Sequence, residues 1–180
     1  MIGVLASGEG TNLQALLDAE LPVVAVASNV SGARALERAE EAGIPAAAFL
    51  LEDFESRAAR DEAMADWLAT NGVELVVCAG YMHLLTPAFL RRFSGQVVNV
   101  HPAPLPAFPG AHPLEDLLAA GAAEAAATVH YVDEGVDTGP VIASERVPVR
   151  AGDTVETLRE RVHAVEHRLL PEVVRELCVR

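Results

Sequence analysis

Short apolar runs alternate with helical patterns through the first hundred residues, and this alternation restricts the fold more than any other feature. Runs at 2–6, 22–28, 45–50, 74–80 and 96–100 read as strands, and the stretches between them, 12–19, 32–42, 55–71 and 87–93, read as helices. Strands separated in this way by helices predict an α/β fold, a mostly parallel twisted sheet with helices on both faces, Rossmann-like in its N-terminal half. In such sheets ligands gather at the carboxyl ends of the strands.

Past residue 110 the pattern changes. A helix is expected at 114–120, then two added strands at 126–132 and 141–147 joined through "DEGVDTGP". A long C-terminal helix follows. Its start is predicted at Asp153, where Asp-Thr-Val-Glu has the form of a capping box. Val155, Leu158, Val162, Val165, Leu169, Val173 and Leu177 recur at spacings of three and four and predict one packed face. Pro171 is expected to kink or split this helix. With no internal repeat and no linker, the chain reads as one domain over 1–180, with halves of about 1–100 and 101–180.

Charge narrows the function. The chain carries 13 basic and 26 acidic residues for a net charge of −13, the opposite of the basic surface that phosphate-backbone affinity needs. No nucleic-acid partner is expected. All 13 basic residues are arginine, which excludes a lysine Schiff base and the phosphate-loop lysine. The two cysteines, Cys78 and Cys178, have neither metal-ligand spacing nor a disulfide framework and fit a reducing cytoplasm. No apolar stretch approaches the roughly 20 residues of a membrane span, so a cytoplasmic protein, monomer or homodimer, is expected.

Four segments carry candidate chemistry. The first strand-to-helix turn, "ASGEGTNLQ", sets small and polar residues at a helix start, where orphan N–H groups favour an anion. A simple tight turn explains it as well. It is not a dinucleotide fingerprint, because Leu13 stands at the third glycine position and Ser28-Asn29 end the second strand without a ribose-binding acid. The second segment, "VVNVHPAPLPAFPG", places Asn99 and His101 two residues apart on one side of a strand tip, ahead of a loop with four prolines. Both side chains could reach one reacting carbonyl. A core histidine held by a backbone group is the plainer reading, and the placement at a carboxyl end favours function. The third, "HYVDEGVDTGP", supplies His130, Asp133, Glu134 and Asp137. Such acids often only form turns, but Asp137 precedes Thr138-Gly139-Pro140 and is a candidate partner for His101. The fourth, "HAVEH", puts His163, Glu166 and His167 at the H-x-x-E-H spacing of a zinc peptidase.

Taken together, "SGEGTNLQAL", "AGYMHLL", "NVHPAPLPAFPG", "TVHYVDEGVDTGPVI" and "AVEHRLLP" resemble the phosphoribosylglycinamide formyltransferases of purine synthesis, in order and nearly end to end. The resemblance implies the formyltransferase fold and transfer of a formyl group from 10-formyltetrahydrofolate, as co-substrate, to the amine of glycinamide ribonucleotide, with no metal. It implies a phosphate cradle at Gly10, Thr11 and Asn12, ribose contact by Glu166 on the exposed side of the last helix, and catalysis by Asn99, His101 and Asp137. A folate pocket is implied at Tyr81, Met82, His83, Leu84, Leu85, Val132, Asp133, Glu134, Gly135 and Val136. The family usually reads Met-Arg-Ile-Leu where this chain has Met82-His83-Leu84-Leu85, and Arg57 falls where the family also tends to carry an arginine. Ala103-Pro104 replaces the serine that usually follows His-Pro. The rival readings are a 10-formyltetrahydrofolate hydrolase, a formyltransferase for another amine, the zinc peptidase, and a nucleotide-binding module using the first turn alone.

Overall fold

The structure, a computed structural model, describes residues 1–179. They form strands β1 (Ile2–Leu5), β2 (Val23–Ser28), β3 (Ala46–Ala48), β4 (Leu75–Cys78), β5 (Val97–His101), β6 (Glu124–Tyr131) and β7 (Val141–Pro148). The helices are α1 (Thr11–Asp18), α2 (Arg34–Glu41), α3 (Arg57–Thr70), α4 (Pro87–Arg92), α5 (Pro113–Ala119) and α6 (Val155–Cys178). Each expected strand and helix is present with its ends moved by a residue or two. A 3-10 turn at Leu51–Asp53 was not expected. The strand order is β3-β2-β1-β4-β5-β6-β7, a mostly parallel seven-stranded sheet.

The chain forms two compact units, Met1–Val98 and a second that begins at Asn99. In the first, β1 pairs in parallel with β2 and β4, and β2 with β3. Every residue of β1 and of β4 is buried, which is why these strands read as continuous apolar runs rather than alternating ones. Leu13, Leu16, Met64 and Leu68 supply helix side chains to this core. The start of α3 is set by Ser56, whose hydroxyl accepts the Ala59 N–H at 3.1 Å.

In the second unit β6 and β7 are antiparallel, with an irregularity between Val129 and His130. Helix α6 packs on both strands, and its buried side is Leu158, Val162, Glu166, Leu169, Leu170, Pro171, Val173 and Val174. Three expectations for α6 need correction. The cap is one residue later than predicted: Thr154 accepts from Thr157 N and the Thr157 hydroxyl accepts from Thr154 N, while Asp153 is held instead by Arg161 and by the Arg150 N–H. The helix is not split at Pro171 but runs on through it. Glu166 is on the buried side, 3% exposed, not on the exposed one, because burial continues from Val162 to Leu169 through position 166.

Candidate functional site

The first strand-to-helix turn lies in the unit Met1–Val98. Gly10 caps α1 at φ 70, a left-handed conformation, and a Cβ there would lie 2.8 Å from Ala35 Cα. Only glycine meets both conditions. The turn is buttressed from α2: Ala35 N–H donates to Gly8 O at 3.1 Å and Arg38 Nε to Glu9 O at 2.8 Å. Thr11 opens the helix and Asn12 is buried. The turn thus has the build of an anion cradle: a fixed loop delivering the chain into a helix N-terminus.

The segment 81–85 is unlike a packed loop. Met82 and Leu84 are exposed, Leu85 is buried, and His83 lies between them half-buried. The Tyr81 hydroxyl is enclosed without a hydrogen-bond partner among the described residues, and burial pushes this phenol well up from its ordinary value. Arg57 is exposed in the first turn of α3. Cys78, at the end of β4, is buried, and burial pushes its thiol up to about 12, so it is not a nucleophile at neutral pH.

In the second unit β5 ends on Asn99 and His101, and a four-member cluster forms there. His101 Nδ1 lies 3.5 Å from Asp137 Oδ2, and His101 Nε2 lies 2.8 Å from the Phe108 carbonyl. A carbonyl only accepts, so Nε2 bears hydrogen and donates to it. Asp137 Oδ2 also accepts the Gly110 N–H at 2.8 Å, which ties the end of the proline loop to the carboxylate. Burial pushes the Asp137 carboxyl up, but the neighbouring His130 ring, the Gly110 N–H and His101 outweigh it and hold the group below the ordinary carboxylate value.

His130 is the member to which sequence reasoning gave no role. Its Nδ1 lies 2.8 Å from the Tyr131 carbonyl, so Nδ1 carries the hydrogen and Nε2 is left as an acceptor. Asn99 Nδ2 donates to that nitrogen at 3.1 Å and lies 3.5 Å from Asp137 Oδ1. The amide of Asn99 is thereby oriented, with its nitrogen toward His130. The available signal was the position of His130 on a buried strand beside the acidic loop; the irregularity in β6 at that residue is not visible in the sequence.

The turn carrying Asp137 is built for one conformation. Asp133 Oδ1 accepts from the Thr138 hydroxyl at 2.7 Å and from Gly135 N at 3.0 Å, and Asp137 sits at φ 53. At Gly139 a Cβ would fall 1.8 Å from the Tyr131 carbonyl oxygen. Val132 is half-buried, and Glu134 and Val136 are exposed along this turn.

On α6, His163 Nε2 lies 3.9 Å from Glu166 Oε2, and the His163 and His167 rings stack at 6.0 Å. Burial lowers both imidazoles below their ordinary value, and for His163 the nearby His167 and Arg159 add to this. Among the described residues no group of three or more histidine, cysteine, aspartate or glutamate side chains is arranged to hold a metal ion. No helix among them is long and apolar enough to cross a membrane.

Residues 1–174 match the formyl transferase family. The phosphoribosylglycinamide formyltransferase of Mycobacterium tuberculosis is 48% identical over 179 residues, which cover 97% of this chain and 83% of that protein. The trifunctional purine biosynthetic protein adenosine-3 of Drosophila pseudoobscura pseudoobscura is 44% identical over 181 residues, and the chain spans only 13% of that much longer relative. The crystal structure of glycinamide ribonucleotide transformylase 1 from Symbiobacterium toebii superposes with a TM-score of 0.94 at 47% identity, covering 97% of this chain and 85% of that one. A family match over almost the whole length, together with relatives covered over most of their own length, establishes that this chain belongs to the formyl transferase family, among the phosphoribosylglycinamide formyltransferases.

Proposed function

We propose that this chain transfers the formyl group of 10-formyltetrahydrofolate to the amine of glycinamide ribonucleotide, giving formylglycinamide ribonucleotide and tetrahydrofolate, as a single cytoplasmic formyltransferase domain that needs no metal. The observation that carries the reading is the cluster of Asn99, His101, Asp137 and His130 around one strand tip.

The reaction needs a carbonyl carbon attacked by a neutral amine, a negative charge held on oxygen, and a proton moved from the amine to the leaving N10. The C–N bond to glycinamide forms, the C–N10 bond breaks, and the proton count is unchanged. Asn99 Nδ2 donates to His130 and, over a longer 3.5 Å, to Asp137 Oδ1, and exchanging that long contact for the oxyanion turns an amide hydrogen onto the charge. His101 holds an Nε2–H on the Phe108 carbonyl, and exchanging that carbonyl for the developing oxyanion directs the same hydrogen at the charge. One such donor is worth about 10²- to 10³-fold in rate. Asp137, ionised at neutral pH and set against Nδ1 of His101, orients the imidazole and takes the amine proton through a water for delivery to N10.

Substrate roles follow the family resemblance. Gly10, Thr11 and Asn12 take the phosphate of the ribonucleotide, and Glu166 the ribose hydroxyls. Arg57, the segment 81–85 and the turn 132–136 take the folate. Two anionic substrates on an acidic protein are compatible, because binding rests on local N–H groups and net charge acts on encounter rate.

The deciding experiment mixes the purified protein with a 10-formylfolate analogue whose absorbance changes on deformylation, with and without glycinamide ribonucleotide and with and without chelator. Signal that requires the ribonucleotide and ignores the chelator is expected. Signal without the ribonucleotide identifies a hydrolase, and loss on chelation revives the zinc reading of His163, Glu166 and His167.

A further inference from the structure

In the segment 81–85 Met82 is 68% and Leu84 51% exposed, and of its aliphatic side chains only Leu85 is buried. Polar contacts supply the rest of the anchoring. Arg60 and Asp61, both fully buried in α3, form a bidentate pair, Arg60 Nη2 lying 2.6 Å and Nε 2.9 Å from Asp61 Oδ1. From this pair Asp61 Oδ2 accepts the Thr86 N–H at 2.8 Å, and Arg60 Nη1 lies 2.7 Å from His83 Nδ1. On the other side of the His83 ring, Asn29 Nδ2 lies 3.4 Å from His83 Nε2, and Asn29 Oδ1 accepts the Ser7 hydroxyl at 2.5 Å. Ser7 Oγ accepts the Met82 N–H at 2.9 Å, and Ser7 N–H donates to Gly80 O at 3.1 Å.

A guanidinium has no acceptor, so His83 Nδ1 must accept from Arg60. The imidazole is then neutral with hydrogen on Nε2, on the side that Asn29 covers. His83 stands between the buried Arg60–Asp61 pair and the Asn29–Ser7 contacts. We propose that His83 is a positioning residue: its neutral ring, accepting from the buried Arg60 guanidinium, holds the segment 81–85 in the shape that receives the formyl donor. The proposal rests on the formyltransferase reading for the identity of that donor.

Protonation breaks the link, because an Nδ1–H would face the Arg60 guanidinium at 2.7 Å. The charged groups facing the ring are Arg57, Arg60 and Asp61 from α3, with the Tyr81 ring 6.1 Å away. Burial, then Arg60 and Arg57, favour the neutral form over the opposing pull of Asp61.

The test compares wild type with His83→Gln, whose amide oxygen can accept from Arg60 at any pH. Nitrogen NMR of the side chains between pH 5 and 8, without substrate, is expected to show a neutral Nε2–H ring at pH 7. Amides of residues 81–86 should shift as His83 titrates in wild type and stay unmoved over that range in the variant. With ribonucleotide saturating, KM for the 10-formylfolate analogue should rise by about tenfold per pH unit below the imidazole pKa in wild type only, while kcat keeps one pH profile in both. An Nδ1–H tautomer or an imidazolium at pH 7, or the same KM profile in both proteins, overturns the proposal. If neither protein turns over, the formyltransferase reading fails, and the tautomer and amide shifts still decide what His83 does.

Discussion

Gly110 donates its backbone N–H to Asp137 Oδ2 at 2.8 Å, so the end of the proline loop and the carboxylate hold each other in place. The same oxygen lies 3.5 Å from His101 Nδ1. One carboxylate thus fixes a loop and an imidazole together, which is the preorganisation that oxyanion stabilisation requires.

Asp137→Asn preserves the size of the side chain and removes its charge and its proton-accepting role. It is expected to lower kcat by about 10²- to 10⁴-fold, the usual range for a general acid–base group. KM for both substrates should change little. Steady-state kinetics at pH 7.5 check this, and an unaltered kcat removes Asp137 from the mechanism.

The folded-state pKa of the Asp137 carboxyl is depressed, so the ionised group stabilises the fold above its unfolded pKa of about 3.9. That contribution is lost as pH falls through the lower folded value. Wild type and Asp137→Asn should therefore differ by a constant amount in urea midpoint from pH 7 to about 5 and converge only below about pH 4. Convergence near pH 6 would show that the Gly110 N–H and the neighbouring histidines do not hold the carboxylate.

Much of this was legible in the sequence, and for a physical reason. Strands β1, β4 and β5 are buried on both faces or nearly so, and such strands have to be written as unbroken apolar runs. The cap of α6 was less legible, because Asp153 and Thr154 are both good capping residues and the choice turns on Arg161, which engages Asp153 from two turns further on. Adjacent charges such as Arg60 and Asp61 ordinarily mark a solvated helix face. Their complete burial depends on partners at 83 and 86 that no local pattern announces. His130 escaped for a similar reason: its acceptor nitrogen exists only because the Tyr131 carbonyl claims the other one.

Glu166 is 3% exposed with His163 Nε2 3.9 Å from its carboxylate, an uncommon position for an acid without a task. Glu166→Gln keeps its volume and removes its charge. KM for glycinamide ribonucleotide is expected to rise about tenfold or more, the scale of a hydrogen bond to a charged group, with KM for the folate analogue nearly unchanged. Equal effects on both substrates argue against the ribose role.

Asp61→Asn leaves the Arg60 guanidinium buried without its counter-charge. Breaking a buried pair in this way costs about 3–5 kcal/mol, and here it also weakens the acceptor of the Thr86 N–H. Urea unfolding should show that loss as a lowered midpoint at unchanged m-value. A loss below about 1 kcal/mol, the level of an exposed pair, would show that water reaches the guanidinium.

Gly139→Ala tests the turn that presents Asp137. The new Cβ would sit 1.8 Å from the Tyr131 carbonyl oxygen, a backbone atom that cannot swing aside. The turn has to shift, and the same carbonyl holds the His130 hydrogen, so strain there propagates to Asn99 through His130. The expected result is a loss of about 1–3 kcal/mol in stability, the range for overpacking, with kcat falling more than either KM rises. Gly32→Ala is the matched control, because no atom lies within 4 Å of its added Cβ and its φ is not in the left-handed region; it should stay within about 0.5 kcal/mol of wild type. If Gly139→Ala is as stable and as active as Gly32→Ala, the turn can relax without moving Asp137, and the fixed geometry of the cluster is not what sets the rate.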